Sequence, residues 1–452
     1  MKKDFLKSVV LTGLVISSLV LSVNIWYEKE LWSLDYSSFV YSLKNFFQKN
    51  EGGKFADTDE LLYFCEYTPE FISFTYASQK SVIYSASPDF EEANLAVADI
   101  ISSIKKEGTL VSITDEEYVN TYKTNSVMLK FSSDINLLTF LKQEDAFFDG
   151  IRDYSSSIVV IGIDESQTNY LSFKDSQTGH AYRMSVKTKA DVKKIQTDIQ
   201  AAQQNASFAF ELNFDEPKDD TRRILFQRFV PIVIGNTEVR DLKIEPLQYS
   251  SDYDSVFKAF GIVKNSARIY RDRENTIHFI ENRCTLKIPE SGGFRFEATE
   301  REAGIPLTGD HEKEAVLEFA NLLYQNIAPD SQAFLCIDSI VIQGNKTWYE
   351  LIYRTKNGDV YSFERPAVSI MVESGSIVDY DQVLWQIFLE GGSTAASGVI
   401  DAYDSLYKQT DNFPKTDVTI RSMFPAHIVK EEQLALGWVC RFSDDSGSYL
   451  IP

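Results

Sequence analysis

The sequence predicts an α+β fold: a single N-terminal transmembrane helix followed by a three-domain extracellular region of mixed α/β structure with antiparallel sheets. Three observations predict this class. One uninterrupted apolar run opens the chain, short alternating segments separated by turn residues fill the rest, and the strands come in runs rather than as βαβ units. The 452 residues exceed what one hydrophobic core holds, so several domains are expected.

The apolar run from Val9 to Trp26 predicts a transmembrane signal anchor. At a rise of ~1.5 Å per residue it spans about 27 Å, close to the ~30 Å hydrocarbon core of a bilayer. Lysines precede the run, and bulky Trp26 and Tyr27 stand where a cleavage site would need small residues, so a cleaved signal peptide is the less favoured alternative. Residues 1–8 are therefore expected in the cytoplasm, 9–26 in the cell membrane and the bulk outside.

Small and polar residues in this span form the candidate site for pairing with partner helices. Gly13, Ser17 and Asn24 lie near one face of the predicted helix, and Ser18 and Ser22 make a second pair of small residues four positions apart. Small residues let helices approach closely, and Asn24 could hydrogen-bond across an interface. The alternative is that glycine and serine are ordinary anchor residues and that water satisfies Asn24 near the membrane boundary.

Composition narrows the classes of partner. The formal net charge is −21, which repels phosphate backbones, so no nucleic-acid partner is expected. Hydrophobic residues make up 44% of the chain and aromatic residues 13%, which indicates a globular protein. Its four cysteines lack any C-x-x-C spacing and give no metal signal, and small buried hydrophobes are favoured over disulfides for Cys65, Cys284, Cys336 and Cys440.

Residues 27–55 are expected to form a juxtamembrane helix or stalk, and residues 56–204 the N-terminal extracellular domain. Its clearest helix is predicted to be capped by Ser87 and stopped by Gly108, with Lys105 and Lys106 in the last turn. Shorter helices are expected at 116–122, 136–141 and 189–204, the last as a linker. Strands are expected at Leu61–Glu66, Ser81–Ser85, Leu110–Thr114, Val127–Phe131 and Ile158–Ile163, with a hairpin over Tyr170–Val186.

Residues 205–304 are expected to form a central domain and residues 305–452 a C-terminal domain. The central strands are predicted at Phe208–Asn213, Val230–Ile234, Val239–Leu247, Thr276–Ile280, Thr285–Ile288 and Phe294–Ala298, with a helix at Tyr253–Phe260. In the C-terminal domain, a helix from Asp310 to Ile327 should cover one antiparallel sheet built by the strands between Phe334 and Val378, including a hairpin at Asn357-Gly358. A helix at Ala395–Tyr407 and strands at Val418–Ile428 and Leu434–Phe442 should close the chain.

No residue pattern predicts a catalytic, cofactor or metal site. Ser102 and Lys105 match the Ser-x-x-Lys pattern of penicillin-interactive enzymes, but no Lys-Thr-Gly strand completes it. His311 lacks the second histidine of a zincin helix. The acidic residues Asp215, Glu216, Asp219 and Asp220 lack the ligand ladder of an EF-hand, so a solvated loop is favoured there.

The sequence resembles the YycH family, which are membrane-anchored regulators of an essential sensor histidine kinase. Three stretches carry the resemblance: the end of the anchor at Leu19–Trp26, the segment Ile83–Phe90 with its helix, and Tyr349–Ile377 around Asn357-Gly358-Asp359-Val360. Tyr27-Glu28-Lys29-Glu30 departs from the Gln-Pro turn expected after the anchor. The resemblance implies a three-domain α/β ectodomain whose C-terminal part is YycI-like. It also implies a YycI-type companion protein and contact with a kinase of the WalK/YycG type through transmembrane helices.

The leading hypothesis is therefore a non-enzymatic, membrane-anchored regulator of a two-component sensor kinase for cell-wall homeostasis, without cofactors. The alternative is an extracytoplasmic receptor or wall-associated protein whose ectodomain holds a peptide or glycan. An exported hydrolase is the third and least favoured possibility. The free edge and mixed face of the C-terminal sheet are the expected contact surface for the companion, with the sign of regulation left open by the resemblance.

Overall fold

The computed structural model describes residues 64–451 apart from 78, 142–150, 152, 164–168, 189–203, 210–223, 234, 248–253, 264, 282, 291, 301–302, 308–311, 409–417 and 444–447. Strands dominate this part of the chain, as the sequence predicts for the globular region. The named helices are α1 (Phe90–Ser103), α2 (Asp115–Asn120), α3 (Leu137–Leu141), α4 (Asp254–Ala259), α5 (Glu312–Ile327) and α6 (Val399–Lys408).

The strands are numbered in chain order. Those before residue 250 are β1 (Phe71–Tyr76), β2 (Gln79–Tyr84), β3 (Lys105–Ile113), β4 (Ser126–Asn136), β5 (Ser155–Ile163), β6 (Asn169–Lys174), β7 (Ala181–Lys187), β8 (Gln204–Phe208), β9 (Ile224–Phe226), β10 (Pro231–Val233) and β11 (Thr237–Pro246). Those after it are β12 (Arg268–Arg271), β13 (Ile277–Glu281), β14 (Cys284–Ile288), β15 (Phe294–Ala298), β16 (Ile305–Pro306), β17 (Phe334–Gln343), β18 (Lys346–Thr355), β19 (Gly358–Ser362), β20 (Val368–Glu373), β21 (Ser376–Gln382), β22 (Trp385–Ala396), β23 (Val418–Lys430), β24 (Gln433–Phe442) and β25 (Ser448–Ile451).

A nine-stranded antiparallel sheet forms the first layer, in the order β10-β8-β2-β1-β4-β5-β6-β7-β3. Helix α1 packs on β1 and β2 with an apolar face that includes Phe90, Val97 and Ile101. The hairpin predicted over Tyr170–Val186 is confirmed as β6 and β7. Thr114 caps α2 through a capping box with Glu117, which satisfies amide groups at the start of this short helix.

Three local predictions in this region are wrong. Helix α1 begins after Asp89 rather than Ser87, and it ends at Ser103 because Ile104 turns to an extended conformation. Lys105 and Lys106 then pair with β7 instead of closing the helix, so pairing between distant segments overrides the local helix signal. Residues 64–67 are helical, although Leu61–Glu66 has the composition of a strand.

A 14-stranded sheet forms the second layer, with most neighbours antiparallel and with β9 and β19 parallel to β23. As predicted, the strands between Phe334 and Val378 all belong to this one sheet. Helix α5 covers it, and Asn321 in that helix donates to the carbonyl of Leu335 and accepts from its amide at 2.9 and 2.8 Å. The predicted helix from Ala395 starts later, at Val399, because Ala395 and Ala396 pair with β11 in a two-stranded ribbon.

Hydrogen-bonded pairing crosses both predicted domain boundaries. Strand β8 lies at the boundary near residue 204 and pairs with β2 of the first sheet. Strand β15, before the boundary at 304, pairs with β21 after it. The division into residues 56–204, 205–304 and 305–452 therefore stays a prediction, and the sheets of the structure continue across both of its boundaries. The proposed linker helix at 189–204 lies outside the described residues except for Gln204, which is in β8.

The two sheets meet tightly at Gly358, the first residue of β19. Its backbone has φ of +112°, which side chains disfavour, and a Cβ added there would lie 2.6 Å from the Cβ of Ala86 in the loop between β2 and α1. The Asn357-Gly358 turn therefore has two roles. It closes the β18–β19 hairpin, and it lets the first layer approach the second.

We predict that Gly358→Ala lowers the free energy of unfolding by about 2–4 kcal/mol, since backbone strain and steric overlap with Ala86 add. Gly375→Ala is the matched control, because Gly375 also has positive φ, +81°, but has no atom within 4 Å of the added Cβ. The control should cost about 1 kcal/mol. Chemical denaturation of the purified variants measures both values, and equal losses would contradict a close approach at Gly358.

Candidate functional site

A buried ion network joins the two sheets. Arg441 of β24 donates from Nη1 to Glu70, which precedes β1, and from Nη2 to Asp338 Oδ1 at 2.5 Å. The Tyr361 hydroxyl group lies 3.0 Å from the same Nη2. The side chains of Arg441, Glu70 and Tyr361 are buried, and that of Asp338 is 11% exposed. Buried charges are tolerated only when they are paired, so this network fixes the strands that carry its members.

A second buried pair attaches the helical residues 64–67 to the 14-stranded sheet. Arg354 of β18 makes a bidentate contact with Asp359, with Nε–Oδ1 and Nη2–Oδ2 distances of 2.6 and 2.9 Å. Its remaining nitrogen, Nη1, donates to the carbonyl of Cys65 at 3.1 Å. Arg354 therefore orders both the β18–β19 hairpin and a segment far away in the sequence.

A disulfide joins Cys65 to Cys336, with the two Cα atoms 5.4 Å apart. The prediction that these two cysteines are unpaired hydrophobes is therefore wrong. Their separation of 271 residues gave no signal, because only the packing of residues 64–67 against β17 brings them together. Cys284 and Cys440 are unpaired, and Cys440 is buried as predicted.

A polar cleft lies where the loop before α1, the β11–β22 ribbon and the β18–β19 turn meet. Arg240 of β11 holds this junction. Its amide donates to the carbonyl of Ala86 at 2.9 Å, its Nη2 donates to the carbonyl of Pro88, and its Nη1 lies 3.4 Å from Asn357 Oδ1. The cleft has a volume of about 610 Å³. Its other lining residues are Gln332, Lys356 and Leu389–Ser393.

The outer end of β17 is an apolar sheet edge. Strand β17 pairs with β18 on one side, and no strand in the described part of the chain pairs with its other side. Ile340, Val341 and Ile342 are 42, 42 and 72% exposed, and no charged residue lies between Ser339 and Gln343. Edge strands are usually protected by charges or proline, so an unprotected apolar edge indicates a place where another strand adds.

The residues predicted to pair helices, Gly13, Ser17, Ser18, Ser22 and Asn24, lie outside the described residues, as do the span 9–26 and the stalk 27–55. In the part that is described, no helix combines the length and apolarity needed to cross a bilayer. His311 and the acidic residues from Asp215 to Asp220 also lie outside it.

The Ser-x-x-Lys residues do not form a nucleophile and base pair. Ser102 Oγ donates to the carbonyl of Asp99 at 2.6 Å, and Lys105 is exposed at the start of β3. Across the described segments, no group of three or more His, Cys, Asp or Glu residues has the arrangement of a metal site. His278 contacts Asp272, with 2.8 Å between Nε2 and Oδ2, and its ring stacks on Tyr270.

Arg441, Arg354 and Arg240 were not predicted from the sequence as functional residues, whereas a free edge of the C-terminal sheet was expected, without the strand that provides it. One signal was available for the first two, because each arginine directly follows a run of apolar residues, Leu351–Tyr353 and Trp438–Cys440. A charge at such a position indicates a buried partner or a functional contact. The cleft had no local signal, since it arises from segments that are distant in the sequence.

These features define a mixed α/β protein whose two large sheets are joined by buried ion pairs and a disulfide. The cleft around Arg240 and the edge of β17 are its two exposed candidate surfaces. No family model matches the sequence, and no curated protein matches it. Among solved structures, the fold is similar to the crystal structure of YycH from Bacillus subtilis, with a TM-score of 0.56 and 12% sequence identity. The similarity covers 86% of this chain and 96% of that chain. The chain therefore has a YycH-like fold, as the sequence resemblance predicts.

His427 of β23 is buried, and neither ring nitrogen makes a hydrogen bond of ordinary geometry to the described residues. Burial lowers the pKa of His427 to about 4. In the unfolded chain the histidine has an ordinary pKa of about 6.5, so between pH 6.5 and 4 it is protonated there but neutral in the folded protein. The free energy of unfolding therefore falls as the pH drops from 6.5 towards 4.

We predict that His427→Leu removes this part of the acid sensitivity. The free energy of unfolding of the variant, minus that of the original protein, should rise by about 2–3 kcal/mol between pH 7 and pH 4.5. Denaturant titrations at several pH values measure the difference, so a constant offset from repacking drops out. A difference that does not change with pH would contradict a neutral buried His427.

Proposed function

We propose that this protein is a membrane-anchored, non-enzymatic regulator of a sensor histidine kinase of the WalK/YycG type, acting beside a YycI-type companion protein. The observation that carries the proposal is the YycH-like fold, which spans 96% of the YycH chain. The apolar segment 9–26 supports the anchor, and the sequence resemblance supports the two partners. The kinase would be reached through transmembrane helices and the companion through the ectodomain.

The Cys65–Cys336 disulfide supports the placement of the bulk of the chain outside the cytoplasm. Disulfides persist in oxidising compartments and are reduced in most cytosols. The formal charge of −21 is consistent with an exported domain that is held at the membrane by its anchor and not by attraction to anionic lipid.

Crosslinking in membranes tests the kinase as partner. A photoreactive residue at position 17 should capture the kinase, while one placed at position 23, away from the predicted face, should capture it weakly. Replacing residues 9–26 with an unrelated apolar span separates the regulator from the receptor. A regulator that works through its helix loses function, whereas a receptor that works through its ectodomain keeps it. A separate variant, Ser102→Ala, tests the hydrolase, which loss of function in that variant alone would favour.

We predict that Gly13→Ile weakens pairing with partner helices, because the added side chain keeps the backbones apart while the span stays long and apolar. The loss should be about 1–2 kcal/mol, roughly tenfold in association. Val23→Ile is the matched control, since position 23 lies off both small-residue faces. Kinase autophosphorylation in co-reconstituted membranes reports the effect, and unchanged signalling from a correctly inserted Gly13→Ile protein would remove this face from the proposal.

The exposed edge of β17 is the proposed contact for the companion ectodomain. Strand addition there would satisfy the free backbone groups of residues 339–343 and cover Ile340 and Ile342. Both proteins would be confined to one membrane, so even weak pairing would be populated. This surface corresponds to the free edge expected from the sequence.

We predict that Ile342→Lys weakens co-purification with the companion roughly tenfold or more, since the ammonium would be buried without a partner when a strand adds. Ile400→Lys is the matched control, because Ile400 is 55% exposed on α6 and lies away from the edge. Both residues are exposed, so thermal stability should change little in either variant. Equal binding by the two variants would place the contact elsewhere, in the helices or on another face.

A further inference from the structure

The polar cleft continues into a second pocket. Pro88 and Arg240 line both the cleft of about 610 Å³ and a neighbouring pocket of about 270 Å³. Together they provide a concave surface in the ~300–1,000 Å³ range typical of small-ligand sites. Two cationic residues and one carboxylate, Glu390, line the larger pocket, whereas three carboxylates and Arg240 line the smaller one. This difference in charge indicates what the pockets would hold.

The larger pocket contains an unpaired cation. Lys356 lies in the turn between β18 and β19, and no carboxylate of the described residues is within salt-bridge distance of it. The neighbouring Arg240 is already engaged by Pro88, Asn357 and Glu91. Lys356 is therefore the group in this pocket that is free to bind an external carboxylate.

The smaller pocket contains carboxylates. Asp89, Glu91 and Glu92 line it at the start of α1, where acidic residues also stabilise the helix dipole. Glu91 pairs with Arg240 at 3.5 Å, while no Lys or Arg in the described ranges pairs with Glu92. Burial raises the pKa of Asp89, an effect that a bound cation would oppose.

A bulge in β22 lines the larger pocket. Arg240 pairs with Ser393 and Leu242 with Leu389, so residues 390–392 oppose the single residue Asp241 and have no one-to-one partners in the ladder. Gly391 has no atom within 4 Å of where a Cβ would lie. Main-chain N–H and C=O groups need hydrogen-bond partners, and a second backbone is the ligand that supplies both.

We propose that this cleft binds a short peptide with free termini. Its C-terminal carboxylate would meet Lys356, its backbone would run along residues 390–392, and its ammonium group would face Glu91 and Glu92. A glycan would match the polar lining but neither of the two charges. The inference goes beyond the proposed regulation of a kinase, and neither depends on the other.

Calorimetric titration of the full-length protein in detergent micelles with tetra-alanine tests the proposal. Tetra-alanine with both termini free should bind saturably, and amidation of its C-terminus should weaken binding roughly fivefold. Lys356→Gln should cause a similar loss for the free peptide and no further loss for the amidated one, because both changes remove the same contact. Acetylation of the peptide N-terminus should likewise weaken binding to the original protein, and it should cause no further loss in Glu92→Gln, because both changes remove the same contact.

Lys346→Gln is the matched control. Lys346 is at the opposite end of β18, about 33 Å away at ~3.3 Å per residue, and its substitution should leave peptide affinity unchanged. Three results would each overturn the proposal: no saturable binding of tetra-alanine, equal affinity for free and blocked peptides, or equal affinity in Lys356→Gln and Lys346→Gln. Kinase contact would be unaffected by any of them, so the two proposals fail separately.

Discussion

The rest of the structure depends on the buried guanidinium group of Arg441. It lies on β24 of the larger sheet and pairs with Glu70, which leads into the smaller sheet, and with Asp338 of β17. Leaving any of these charges buried and unpaired would cost several kcal/mol, so the three segments are stable only when they are together. Glu70 Oε2 and Arg441 Nε have no hydrogen-bond partners among the described residues, so the network has no spare hydrogen bonds that could compensate for the loss of one.

Other contacts along the same seam repeat this constraint. The Cys65–Cys336 disulfide and the bond from Arg354 to the Cys65 carbonyl attach residues 64–67 to the larger sheet. Arg421 of β23 donates to the carbonyl of Ser132 of β4 at 3.0 Å. Every one of these contacts joins segments that are far apart in the sequence. We therefore expect them to form after the local contacts during folding, and together they join the two sheets into one unit.

Elements that depend on residues a few positions apart were predicted correctly from the sequence, whereas elements that depend on distant residues were not. The Tyr170–Val186 hairpin and the strands around Asn357-Gly358 were predicted because turn residues and alternation act within a few positions. The helix through Lys105 and the strand at Leu61–Glu66 were wrong because distant partners decide those segments. The disulfide and the cleft around Arg240 had no local signal, since each exists only after distant segments pack together.

Strand β17 connects the seam to the exposed edge. Its first half is buried and carries Cys336, a bulge follows at Asp338, and its second half is exposed from Ile340 onward. The disulfide and Arg441 therefore anchor the strand on one side of the bulge, while the backbone beyond it stays free. A bulge locally disrupts the ladder and bends the strand that carries it, and β17 pairs with β18 on both sides of this bulge. An added strand would then extend the 14-stranded sheet from a fixed base without breaking a buried charge pair, which lets a weak, reversible contact act on a rigid ectodomain.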